Sequence, residues 1–148
     1  MAAISSRVRR FVVWQFGRLG LVYALFPRSR QAAAWLVPMS LTAGICEEIV
    51  FRGLVPSWAE HISAMFSGPA WAPLVASAVT FSAAHLYQGW RGVVLTGVLG
   101  GYLYLLTVHA GSLRPAMAVH ALIDLRISAL SLVIGPLPAQ VVAVPPQG

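Results

Sequence analysis

Long apolar stretches separated by short turn-forming breaks dominate this sequence. Four of them, 31–55, 69–88, 92–110 and 115–134, reach the length a membrane-spanning helix needs, about 20 mostly apolar residues. The breaks fall at Ser67-Gly68-Pro69, Gln88-Gly89 and Ala110-Gly111-Ser112, where turn chemistry is favoured over continued helix. Segment 56–67 (PSWAEHISAMFS) is more polar. It reads either as an interfacial helix or as a continuation of the preceding helix past a kink at Pro56.

The first apolar stretch, 8–26, has a different pattern. At about 100° per residue, Arg7, Arg10, Gln15 and Arg18 share one stripe, leaving Phe11, Val12, Val13, Phe16 and Leu19 largely elsewhere. That favours a helix lying in the membrane interface. Laid flat, it keeps the arginines from Arg7 to Arg30 on one side with Arg91 and leaves Arg114 opposite, as the positive-inside tendency prefers. The N-terminus is then cytoplasmic. The alternative is a fifth span from which Arg18 snorkels. A cleavable leader is not expected, because Arg18 interrupts the apolar run and no small-residue cleavage pattern follows. The expected fold is an all-α polytopic bundle of four to five spanning helices. It divides into a basic N-terminal region (1–30), a membrane core (31–134) and an irregular tail (135–148) with Pro136, Pro138, Pro145 and Pro146. Gly97 and Gly101 form a GxxxG pair, expected to serve packing inside the bundle in preference to dimerisation.

Composition narrows the class. The 148 residues are 58% hydrophobic and 9% charged, against about a quarter charged in a soluble domain. Soluble globular, disordered and coiled-coil readings all fail on that count. The net charge of +6 comes from arginines alone, and no basic–aromatic run suggests nucleic acid. The single cysteine, Cys46, excludes a disulfide framework and a multi-Cys metal site.

Candidate chemistry lies in the ionisable residues within apolar segments. Glu47, Glu48 and Arg52 interrupt LTAGICEEIVFRGLV, His85 ends FSAAH, and His120 and Asp124 sit in HALID. Such groups cost at least about 2.5–3.5 kcal/mol each in a bilayer, so they are functional candidates by default. Glu48 and Arg52 are spaced i,i+4 for an intrahelical ion pair, as are His120 and Asp124 for one polar face. Glu47 lies about 100° around from Glu48 and faces a different neighbour. Pairs that only tie the bundle together explain any one of these as well as function does. They explain the whole set, spread over three helices, poorly. His61 reads as interfacial, His109 as bordering a loop and Cys46 as packing. Without lysine or a GxSxG elbow a serine protease has no dyad, and HExxH is absent.

EEIVFRG (47–53), FSAAH (81–85) and HALID (120–124) resemble, in order, the EExxxR, FxxxH and Hxxx(N/D) motifs of the CPBP intramembrane proteases. These are the CAAX prenyl endopeptidase and Abi type. The resemblance covers 35–134 and resembles a minimal core without the N-terminal helices of larger members. It implies that Glu47, with His85, activates a water for attack on a peptide carbonyl. Glu48 and Arg52 then position it, and His120 with Asp124 holds the carbonyl or stabilises the oxyanion. Better-known members carry Asn where this chain has Asp124. An ionised Asp cannot donate, so Asp124 is either protonated or acts by orienting His120. In the alternative, Glu47, His85, His120 and Asp124 hold a divalent metal such as zinc. Likeness to the glutamate-type members favours a metal-free reaction without cofactor.

The expected substrate is a membrane-associated or lipidated peptide, with membrane lipids as the other partner, no nucleic acid, and a bacterial inner membrane as the location. The competing class is a non-catalytic membrane scaffold or bacteriocin-immunity-type protein. A proton-coupled carrier is disfavoured by the small bundle and the lack of an inverted repeat. With the spans above, Glu47 and His120 lie about 10 Å from His85 in membrane depth, at about 1.5 Å per residue. The mismatch shrinks if the second helix runs past Pro56 towards Phe66.

Overall fold

A computed structural model describes Pro27 and residues 29–134, and these are all-helical apart from short turns. The expectations for 8–26 and 135–148 lie outside the described residues. Helix α1 (Arg30–Glu48) starts where the Ser29 hydroxyl accepts the Ala32 N–H at 3.0 Å, satisfying one of the free donors of the first turn. A wide, π-helical turn (Ile49–Leu54) and α2 (Val55–Met65) follow without a break. One helical rod of 36 residues therefore runs from Arg30 to Met65. Of the two readings of 56–67, continuation past Pro56 is the one adopted.

Pro56 accounts for the wide turn. Its ring collides with the carbonyl four residues back in a regular α-helix, here Arg52. The chain instead pairs the Val55 N–H with the Val50 carbonyl, five residues back. The next bond in that register runs from residue 56 to the Phe51 carbonyl, and proline has no N–H to give. Ser77 Oγ, from another helix, donates to the Phe51 carbonyl at 2.7 Å.

The rest of the bundle is α3 (Ala72–Ala84), a 3-10 turn (Leu86–Gln88), α4 (Gly89–Ala110) and α5 (Arg114–Ile134). Gly111, with φ 61°, ends α4 in the left-handed conformation that glycine adopts without steric cost. Among the described residues, two helical stretches, Arg30–Met65 and Leu86–Ala110, are long and apolar enough to cross a membrane, and the expected span at 115–134 is not one of them. The expected span at 69–88 is a correction: α3 has 13 residues, about 20 Å, short of the ~30 Å hydrocarbon core. It stops early because the chain tightens into the 3-10 turn after His85.

Burial is inverted relative to a soluble protein. Ser40, Glu48, Arg52, Ser77, His120 and Ser128 are buried, whereas Trp35, Leu41, Ile49, Trp58, Trp90 and Val98 are exposed. Water does not tolerate so large an apolar surface, but lipid does. Small residues bring the helices together. A Cβ on Gly44 of α1 would stand 2.8–3.0 Å from the Cβ, N and Cα of Ala121 on α5. On the other side, Gly100 of α4 meets Ala78 and Phe81 of α3, while Gly97 faces Ser82 and Gly101 faces Leu74. The GxxxG pair thus packs α4 on α3 inside the bundle.

Candidate active site

Glu48 is the hub of the buried polar cluster, with a side chain 0% exposed. The close approach at Gly44 and Ala121 carries the end of α1 against the middle of α5. The expected i,i+4 pair is present: Arg52 NH1 lies 2.9 Å from Glu48 Oε1. The contact runs from one guanidinium nitrogen to one carboxylate oxygen, and the guanidinium carbon sits 4.1 Å from the centre of the Phe81 ring. The same oxygen of Glu48 also accepts from His120 Nδ1 at 2.7 Å. A carboxylate only accepts, so Nδ1 carries a hydrogen. Glu48 and Arg52 thereby fix the imidazole of α5.

The other ring nitrogen of His120 looks towards two further carboxylates. Nε2 is 4.0 Å from Glu47 Oε2 and 3.7 Å from Asp124 Oδ2. These are electrostatic distances, too long for hydrogen bonds. Glu47 and Asp124 are partly open, with side chains 35% and 36% exposed. Together with His85 and His120 they line a cavity of about 190 Å³. Neighbouring carboxylates in the chain therefore have opposite environments, one sealed and committed, the other open.

His85 follows the last residue of α3, and its Nδ1 lies 2.7 Å from the Phe81 carbonyl oxygen. That carbonyl can only accept, so Nδ1 is the donor and Nε2 of a neutral ring is free to accept. The depth mismatch expected between Glu47 and His85 does not arise. The rod continues to Met65, placing Glu47 at mid-helix, and the short α3 ends just before His85. Both side chains line the same cavity.

Three residues with no role assigned from sequence belong to this site. Phe81 is buried and its ring packs near Phe51, His85 and His120, with centroids 5.3, 4.5 and 5.6 Å away. The signal for it was its i,i+4 spacing from His85 in FSAAH. Tyr87 and Gln88 line the cavity because the 3-10 turn folds them over it, and Gln88 Nε2 donates to the Tyr87 hydroxyl at 3.2 Å. Nothing in their sequence pattern marks them. Cys46, His61 and His109 are exposed and lie outside the cavity lining. Among the described residues, no three His, Cys, Asp or Glu side chains are grouped to hold a metal ion.

The arrangement can hold a water between an open carboxylate and a histidine acceptor, beside a second histidine fixed by a sealed carboxylate. A protein-family model described as type II CAAX prenyl endopeptidase Rce1-like matches residues 29–126, which include all six candidate residues. Neither the curated proteins nor the solved structures give a match.

Proposed function

The chain belongs to the Rce1-like family of type II CAAX prenyl endopeptidases, and on that premise we propose that it hydrolyses a peptide bond in a membrane-associated or lipidated peptide, using a water activated by Glu47. Family membership supports peptidase activity and association with a membrane. The single observation that carries the finer reading is the shared cavity of Glu47, His85, His120 and Asp124, with Glu48 and Arg52 sealed behind it.

The reaction runs as a general-base hydrolysis. Glu47 and the free nitrogen of His85 hold the water, and Glu47 takes its proton as the oxygen attacks the peptide carbonyl carbon. The carbonyl oxygen becomes an oxyanion beside His120. With Nδ1–H already given to Glu48, His120 donates to that charge from Nε2 in its doubly protonated form. Asp124, 3.7 Å from the same nitrogen, aligns the ring. This keeps the indirect option for Asp124 and needs no protonated carboxyl. Collapse of the tetrahedral species breaks the C–N bond, and the proton held by Glu47 passes to the leaving nitrogen. The peptide emerges as a carboxylate and an amine. The steps as written use the chain's own side chains throughout. The location proposed is a bacterial inner membrane with the N-terminus in the cytoplasm.

The test is cleavage of an internally quenched, farnesylated CAAX peptide by the full chain in proteoliposomes. Glu47→Gln is nearly isosteric but cannot act as base, and it should lower kcat by about 10²–10⁴-fold with folding unchanged. Equal cleavage by wild type and variant removes the mechanism. Absence of cleavage by both leaves the non-catalytic scaffold as the reading of the site.

A further inference from the structure

The buried hydroxyl of Ser77 has no place in the reaction as written, yet it lies under the residues that do. It is fully buried on α3 and donates to the Phe51 carbonyl, whose partner in the widened register would be the N–H that Pro56 lacks. One turn further along α3, Phe81 supports the Arg52 guanidinium and packs against His120. Ser77 and Phe81 thus meet consecutive residues of the wide turn: Ser77 the backbone of Phe51, Phe81 the side chain of Arg52.

From this we propose that Ser77 is a positioning residue for catalysis. By supplying the hydrogen bond that Pro56 cannot, it holds the wide turn in the register that keeps Arg52 on Glu48, and through Glu48 it fixes the orientation of His120. The inference rests on the endopeptidase reading for its kinetic consequence, but not for its structural one. A carbonyl left unpaired in an apolar interior draws the backbone towards any other donor. Arg52 is attached next to that carbonyl, so its contact with Glu48 shifts with the backbone. Displacements of about 1 Å at a reacting site cost up to about 100-fold in rate.

Three variants separate positioning from bulk stability. In Ser77→Ala, kcat on the farnesylated probe should fall about tenfold or more while KM stays within about twofold. The imidazole of His120 should report the same change without any substrate. In protein labelled with ¹⁵N-histidine, the Nδ1–H resonance of His120, assigned by its loss in His120→Asn, should move towards that of an unbonded ring. In Ser77→Thr, which keeps a hydroxyl donor, both kcat and the resonance should stay nearer to wild type than in Ser77→Ala. If Ser77→Ala does not fold, Ser77→Cys, a weaker donor, takes its place in both measurements. Lowered thermal stability with wild-type kcat and a wild-type His120 resonance would reduce Ser77 to a structural role and overturn the proposal. So would a Ser77→Thr variant no better than Ser77→Ala. If the wild type does not cleave the probe, the endopeptidase reading falls and the resonance alone decides the role of Ser77.

Discussion

The α1–α5 seam and the α3–α4 seam are assembled by the same device and filled with different chemistry. In each, a glycine lets one backbone approach another: Gly44 against Ala121 in the first, Gly100 against Ala78 and Phe81 in the second. In each, a serine hydroxyl bonds a carbonyl across the seam, Ser128 to Ala33 at 3.4 Å and Ser82 to Val93 at 2.6 Å. Apolar helices in lipid need such contacts, because burial of apolar surface alone does not drive them together. The difference is the ionisable set. The α1–α5 seam holds Glu48 and His120 fully inside and leaves Glu47 and Asp124 on a cavity. The α3–α4 seam shows that a tight join can be made without any of them. Buried charges cost more than they return unless they are well paired, so packing alone accounts for them poorly.

Removing Arg52 should expose the contrast most strongly. Arg52→Ala leaves Glu48 with His120 as its remaining polar partner and should cost about 3–5 kcal/mol if the carboxylate stays charged, read as thermal unfolding in detergent. Glu48→Gln with Arg52→Gln removes both charges and should be less destabilising than Arg52→Ala alone. The double variant proving the least stable would mean that Glu48 is not the main partner of Arg52. Arg52→Lys keeps a single N–O contact but loses the planar face lying on Phe81, so it should recover stability better than activity.

Gly44→Ala should come next. Its Cβ meets the Ala121 backbone at 2.9–3.0 Å, and backbone cannot swing aside, so α1 and α5 must part. Overpacking of this kind costs about 1–3 kcal/mol. Because the seam carries Glu48 and His120, activity should fall beyond what the loss of folded protein explains. Loss of a hydroxyl in the other seam should be mild. Ser82→Ala removes the bond to the Val93 carbonyl, which Thr96 Oγ1 also approaches at 3.1 Å. A cost of about 0.5–1.5 kcal/mol with unchanged kcat is expected. A larger kinetic loss from Ser82→Ala than from Gly44→Ala would break the comparison.

What was legible in the sequence follows from range. The Glu48–Arg52 pair depends on helical spacing alone, and it forms as the spacing implies. The all-helical class and the apolar surface follow from composition and periodicity. Pro56 was ambiguous because proline both ends helices and, where a neighbouring helix supplies a donor, lets them continue. The donor is Ser77, 26 positions after the Phe51 carbonyl it bonds. The bond from His120 to Glu48 spans 72 positions and depends on how α5 lies against α1. Spacing within HALID instead directs attention to the local His120–Asp124 pair, which is the looser contact at 3.7 Å. Tyr87 and Gln88 reach the cavity through a tight turn that apolar periodicity had counted as the end of a span.

The central claim is that Glu47 activates water and does not itself attack the peptide. A single turnover of the farnesylated probe in H₂¹⁸O, with enzyme in excess and both products analysed by mass spectrometry, tests it directly. The account predicts one ¹⁸O atom in the new carboxylate of the cleaved peptide and none in the protein. Label in the Glu47 side chain after that turnover would mean an anhydride formed on the carboxylate and was opened by water, and would contradict it.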